Sequence, residues 1–209
     1  MVTLPFDVNA VLTALDGVAY VTDPAGTIVA VGAKHWDEFA EANDAPPLKA
    51  DQVLGRSLFS FVAGAEVSAL ARSVHEAVVG GMVEYFPIAC RCDAPTVRRE
   101  MRLIVSSIVD DGRIVGALYQ SQVLAESQRP AIELFKRLLG QKPAKGPGDR
   151  AILRLCSYCH AVAWPPTTDR TDSEWIQPEE YYRRGGQTGV EVSHGICPDC
   201  FRSITARLP

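Results

Sequence analysis

The first 125 positions alternate between two periods of hydrophobicity. GVAYVTD (17–23) and TIVAVG (27–32) are short runs rich in β-branched and aromatic residues, divided by DPAG. Pro24 fixes its own φ and Gly26 is free to take a positive one, so residues 17–32 read as a hairpin. HWDEFAEAN then has helical spacing, with Trp36, Phe39 and Ala40 on one face. DQVLGRSLFSFVAG reads as a short helix, a glycine break and a further helical turn. The strongest helical pattern is AEVSALARSVHEAVVGG. Val67, Leu70, Ala71, Val74, Ala77 and Val78 form its apolar stripe, and Gly80 and Gly81 end it. Three strand-like runs follow: VEYFPIACRC, REMRLIVSSIVD and RIVGALYQSQV. The last two meet at DDG, a strong hairpin signal. Two strands before the helices and three after predict an α+β domain, a five-stranded antiparallel sheet with helices on one face.

Beyond residue 125 the pattern changes. SQRPAIELFKRLLGQ is amphipathic, with Ile132, Leu134, Phe135, Leu138 and Leu139 apolar, Pro130 suited to a first turn and Gly140 to a stop. Such a helix would pack back on its own sheet or pair with a second copy. QKPAKGPGDR is a linker by composition. Three segments result: an α+β domain at 1–125, an amphipathic helix and linker at 126–150, and a C-terminal domain at 151–209.

The metal reading of the last segment comes from its cysteines. CSYC supplies Cys156 and Cys159, and CPDC supplies Cys197 and Cys200. A two-residue spacer lets one tight turn aim two sulfurs at one ion, and four thiolates fill the tetrahedral shell that zinc prefers. A redox pair would normally sit between a strand and a helix of a βαβ unit, a pattern that the flanking sequence does not suggest. A complete shell leaves no position for a substrate water, so the Zn2+ is structural. His194 is read as a hydrogen-bonding partner of the turn or of a sulfur, with a Cys3His shell as the alternative. His160, directly after Cys159, is read as exposed. So short a segment has little core of its own and is expected to fold only with metal. Chelation is therefore expected to melt it and leave the front domain intact.

LCSYCHAVA, SEWIQPEEYY (with Trp175, Glu179 and Glu180) and VSHGICPDCF resemble a zinc-ribbon-like tail that follows sensory domains in bacterial signalling proteins. GVAYVTDPAGTIVAVG, VLGRSLFSFV, the long helix and the three closing strands resemble a PAS sensory domain. CRCDAPTVRREMRL looks like a segment of bacterial proteins that join such a domain to this tail. The resemblance implies a binding and relay module. Its members hold haem, flavin or small metabolites between sheet and helices, or hold nothing and mediate dimers. Haem would require an axial histidine, for which His75 on the long helix is the candidate, against a plain boundary histidine. The NCRFLQ-like helix of light-sensing flavin members is absent from the sequence.

Cys90 and Cys92, two apart on a strand, share a face and read as small core residues, with a Cys-x-Cys metal or redox role as the alternative. Arg98, Arg99 and Arg102 read as a solvated strand edge. The chain has 209 residues, 47% hydrophobic and 22% charged, with a net charge of −4. That balance weighs against broad nucleic-acid binding, although Arg183, Arg184, Arg202 and Arg207 keep a zinc-ribbon nucleic-acid binder as the alternative. Without a basic leader or an apolar run of about 18 residues, the chain is expected to be cytoplasmic and off the membrane. It carries no phosphate loop, GxSxG, HExxH or dinucleotide fingerprint, and is expected not to be an enzyme. Its expected partners are another protein or a second copy of itself.

Overall fold

The DPAG segment closes a hairpin. The Asp23 side chain accepts from the Thr27 amide at 2.7 Å, and Gly26 takes φ +83°. In the computed structural model, which describes residues 7–42, 48–138, 152–166, 173–188 and 190–209, this turn joins β1 (Val18–Thr22) to β2 (Ile28–Val31). The helical patterns become α2 (Ala33–Ala42), α3 (Ala50–Val53), a 3-10 turn (Leu58–Phe61) and α4 (Ala65–Val79). β3 (Tyr85–Arg91), β4 (Val97–Asp110) and β5 (Arg113–Gln128) follow. Asp111 and Gly112 both adopt positive φ between the paired Asp110 and Arg113, the geometry a two-residue hairpin turn demands.

The five strands form one antiparallel sheet in the order β2-β1-β5-β4-β3. The α4 stripe packs on its inner face: Val67, Leu70, Val74 and Val78 meet Phe86, Ile88, Val105, Ala117 and Tyr119. Each valine, leucine, isoleucine or phenylalanine among them contributes about 1.5–3 kcal/mol when fully buried. The helical pattern around Val8 carries no strong signal, yet α1 (Val8–Ala14) forms, capped by Asp7. It covers Ala19 and Ala30 with Leu12, on the strand positions that alternate away from Tyr20 and α2.

The C-terminal segment builds a second sheet. β6 (Ile152–Cys156), β7 (Val162–Trp164), β8 (Glu174–Ile176) and β9 (Glu191–Gly195) lie in the order β8-β7-β6-β9, with α6 (Pro178–Arg183) and α7 (Pro198–Thr205). The interval between the knuckles thus holds β7, β8, α6 and β9. The connector helix α5 (Glu133–Leu138) does something other than either expected role. Ile132, Leu134 and Phe135 are buried with Leu153, Leu155, Val162, Ile176 and Tyr181, so the connector belongs to the core of the tail. Leu139, Gly140 and the PAKGPG linker lie outside the described residues.

The main core crosses the expected boundary at residue 150. Cys156, Tyr158, Cys197 and Ile204 sit in the same buried cluster as α4, Phe86 and Tyr119. β3 is an edge strand, and the tail covers it. The Arg91 amide donates to the Tyr158 carbonyl at 2.7 Å, and the Arg207 guanidinium donates to the Pro87 carbonyl at 2.8 Å. Pro87 has no amide to leave unpaired there. β4, by contrast, is paired on both sides, so Arg102 lies inside the sheet and not on a free edge. Arg98 and Arg99 extend past the end of β3, where Arg98 meets Glu100 and Arg99 meets Glu126 at 2.8 Å. Among the described residues no helix is long and apolar enough to cross a membrane.

Candidate metal centre and adjoining pocket

The two knuckles meet because β6 and β9 are parallel and in register. Leu155 pairs with His194 and Cys156 with Gly195, so both strands deliver their C-terminal ends to one place. CSYC turns back at the end of β6, with the His160 amide donating to the Cys156 carbonyl at 3.0 Å. CPDC opens α7: Cys197 is the N-cap, Pro198 is the first helical residue, and the Cys200 amide donates to the Cys197 sulfur at 3.4 Å. The four Sγ atoms of Cys156, Cys159, Cys197 and Cys200 lie within 4.8 Å of one another, and Cys159 and Cys197 are 3.6 Å apart. A tetrahedral thiolate shell with Zn–S near 2.3 Å needs sulfur–sulfur edges of about 3.8 Å.

The electrostatics of the cluster also suit a cation. Cys156 is held below the ordinary thiol range by hydrogen bonds from Cys159, Cys197 and Cys200. The proton-donating roles raise Cys159 and Cys200, in each case first through Cys156. Four crowded sulfurs cannot all ionise against one another, and a divalent ion removes that penalty. The backbone amides of Cys159, Ala161 and Cys200 donate toward the sulfurs of Cys156, Cys159 and Cys197 and favour the thiolate form.

His194 stands outside this group. Its Nδ1 lies 3.3 Å from the Ser157 hydroxyl, within the first knuckle, and burial followed by the nearby His160 lowers its pKa. His160 is not exposed as the sequence suggests. It holds a left-handed backbone, φ 59°, at a position where glycine would be unstrained, and its side chain is 12% exposed. The ring lies tilted against Phe135 with centroids 5.3 Å apart, and Nδ1 lies 3.5 Å from the Asp93 carboxylate.

Asp93 organises a polar junction that the sequence reading missed. Its side chain is fully buried and takes ion pairs from Arg91 and from Arg129, the latter at 3.1 Å; Arg129 also pairs with Glu179 at 2.9 Å. Arg91 reaches Gln177 and donates to the Cys159 carbonyl at 3.2 Å. Burial alone would raise the Asp93 pKa, but the nearby His160 ring and the hydrogen-bonded Arg91 outweigh it and hold the carboxyl well below the usual range. A signal was present in CRCD: on a strand, charges alternating with thiols put two charged side chains on one face, and a buried face then requires them to be paired.

The opposite face of that segment lines a pocket of about 390 Å3 between the sheet and α2. Cys90 and Cys92 share its wall with Val18, Trp36, Phe39 and Met101, so they are half-buried lining residues and not fully enclosed core. Burial raises both thiols, Cys92 to about 11, which keeps them protonated and unreactive at neutral pH. Tyr20 also lines the pocket and stacks on Tyr119 at 4.8 Å.

His75 is buried, not at a boundary. Nδ1 lies 2.8 Å from the Tyr119 hydroxyl and Nε2 lies 3.1 Å from the Pro24 carbonyl. The carbonyl can only accept, so Nε2 carries a proton, and both nitrogens are engaged away from any axial-ligand role. The four arginines relevant to nucleic acid are likewise engaged: Arg183 with Glu180, Arg184 with Glu174 and Glu180, Arg202 with Asp199, and Arg207 with Pro87.

No protein-family model and no curated protein matches the chain. Among solved structures it is similar to the PAS domain of Bordetella pertussis BvgS, at 19% identity and TM-score 0.40, over 62% of this chain and 90% of that one. It is similar to a C-terminal domain from Streptococcus mutans, at 14% identity and TM-score 0.43, over 65% and 96%. A third similarity is to VqmA in the Vibrio cholera VqmA–ligand–DNA complex, at 15% identity and TM-score 0.40, over 55% and 49%.

Proposed function

We propose that the chain is a non-enzymatic sensory protein. A PAS-like front domain binds a small molecule, and a zinc-stabilised tail presents the result to a protein partner or a second copy. The observation that carries this reading is the four-sulfur cluster seated in the core shared by α4 and the sheet. Structural zinc fits its four thiolates, which leave no open coordination position. The pocket supports the binding role. At about 390 Å3 it is in the range of small-molecule sites, and no charged residue lines it among the described residues, so the ligand class is uncharged and largely apolar. The engagement of both His75 nitrogens weighs against haem.

Native mass spectrometry of the purified full chain tests the reading. The expected result is one zinc per chain in the wild type and none in Cys156→Ser/Cys197→Ser. Wild-type protein that folds fully with no bound metal would overturn it.

A further inference from the structure

One strand end faces both features. Cys90 and Cys92 line the pocket; Arg91 and Asp93, which alternate with them, point the other way and are 9% and 7% exposed. Arg91 grips the first knuckle twice, through its amide to the Tyr158 carbonyl and through its guanidinium to the Cys159 carbonyl. Asp93 faces His160, the strained residue that directly follows Cys159. Cys90 belongs to both walls: it lines the pocket and also a groove shared with Tyr158, Cys159 and Cys200. Among the described residues β3 pairs in the sheet with β4, α4 packs on its Phe86 and Ile88, and the tail holds its free edge.

We propose that β3 couples the pocket to the four-cysteine centre, so that filling the pocket changes how tightly the centre holds its metal. The proposal rests on the reading of the pocket as a binding site and of the cluster as a zinc site. A side chain or ligand that presses on Cys90 and Cys92 moves the same backbone that carries Arg91 and Asp93, and these contact the knuckle at Tyr158, Cys159 and His160. The shift needed is small, because close-packed cores transmit sub-ångström displacements instead of absorbing them. Linkage makes the effect reciprocal: whatever factor occupancy applies to metal affinity, metal applies to occupancy.

The test uses the zinc-loaded full chain and reads zinc release to a chromogenic chelator. Ala40→Leu on α2 and Ser121→Leu on β5 fill the pocket from positions that line it and do not line the groove shared with the tail. Each is expected to change the release rate by about fivefold or more, and the change is expected to vanish in the Asp93→Asn background. In the wild type, saturating the pocket with an uncharged naphthalene-based fluorophore is expected to change the release rate by a similar factor. Release rates that stay within twofold, both in the filling variants and with the fluorophore bound, would overturn the coupling. If the fluorophore binds and the filling variants abolish that binding with release unchanged, the coupling fails and the binding site stands. If the fluorophore does not bind the wild type, the pocket reading fails, and with it the coupling.

Discussion

Asp93 is the charged residue on which the polar junction converges. Its carboxylate is the counter-charge for Arg91 and Arg129, both of which are nearly buried. Asp93→Asn keeps the shape and removes the charge, leaving two guanidinium groups without it. The expected cost is about 3–5 kcal/mol at neutral pH, measured by urea unfolding. The pH dependence has a definite sign. The folded carboxyl is held below its unfolded value near 4, so its stabilisation is complete above about pH 4 and disappears as the pH falls further. The stability gap between wild type and Asp93→Asn should therefore narrow below about pH 4. A gap that widens there would contradict the assignment. His160 shows a related economy at the same junction: a non-glycine residue retains a left-handed backbone where its ring can face Asp93 and Phe135.

At the level of elements, the tail is fixed to the front domain at α4 as well as at β3. Gly64 caps α4 with φ +89°, and a Cβ there would lie 2.6 Å from the His194 carbonyl oxygen on β9. Gly64→Ala is expected to cost about 1–3 kcal/mol through backbone strain, and more through the forced separation of β9 from α4. Differential scanning calorimetry should show a lower melting temperature, and a change of under 1 °C would argue against so close an approach. The hairpins, α4 and the three long strands were legible because turn chemistry and periodicity agree there, as at Gly26 and Asp111–Gly112. The two knuckles were legible from spacing alone. What closes them was not: the parallel pairing of β6 with β9 is a long-range match that local patterning does not encode. The connector was misplaced for the same reason. An apolar stripe at Ile132, Leu134 and Phe135 reveals that a face is buried, not which sheet buries it. Asp93 was missed because the alternation in CRCD shows which side chains share a face but not that the face is buried, and the burial of His160 appears only once three segments converge.

For the whole molecule, the sequence suggests a tail that can melt alone, whereas Cys156, Tyr158, Cys197 and Ile204 are core residues of the sheet and α4 assembly. Removal of metal should therefore propagate. Thermal unfolding of the zinc-loaded chain is expected to be a single transition. Chelation should lower it as a unit, with loss of protection at α4 and β3 in hydrogen exchange as well as in the tail. Two separate transitions, only one of them sensitive to chelator, would show that the shared core does not bind the halves into one cooperative structure.

Four sulfurs holding one ion are what joins the two knuckles, and X-ray absorption at the zinc edge of the full chain reads that directly. The predicted spectrum has four sulfur neighbours at about 2.3 Å and no nitrogen or oxygen in the first shell. A shell with fewer than four sulfurs, or one that includes an imidazole nitrogen, would contradict it.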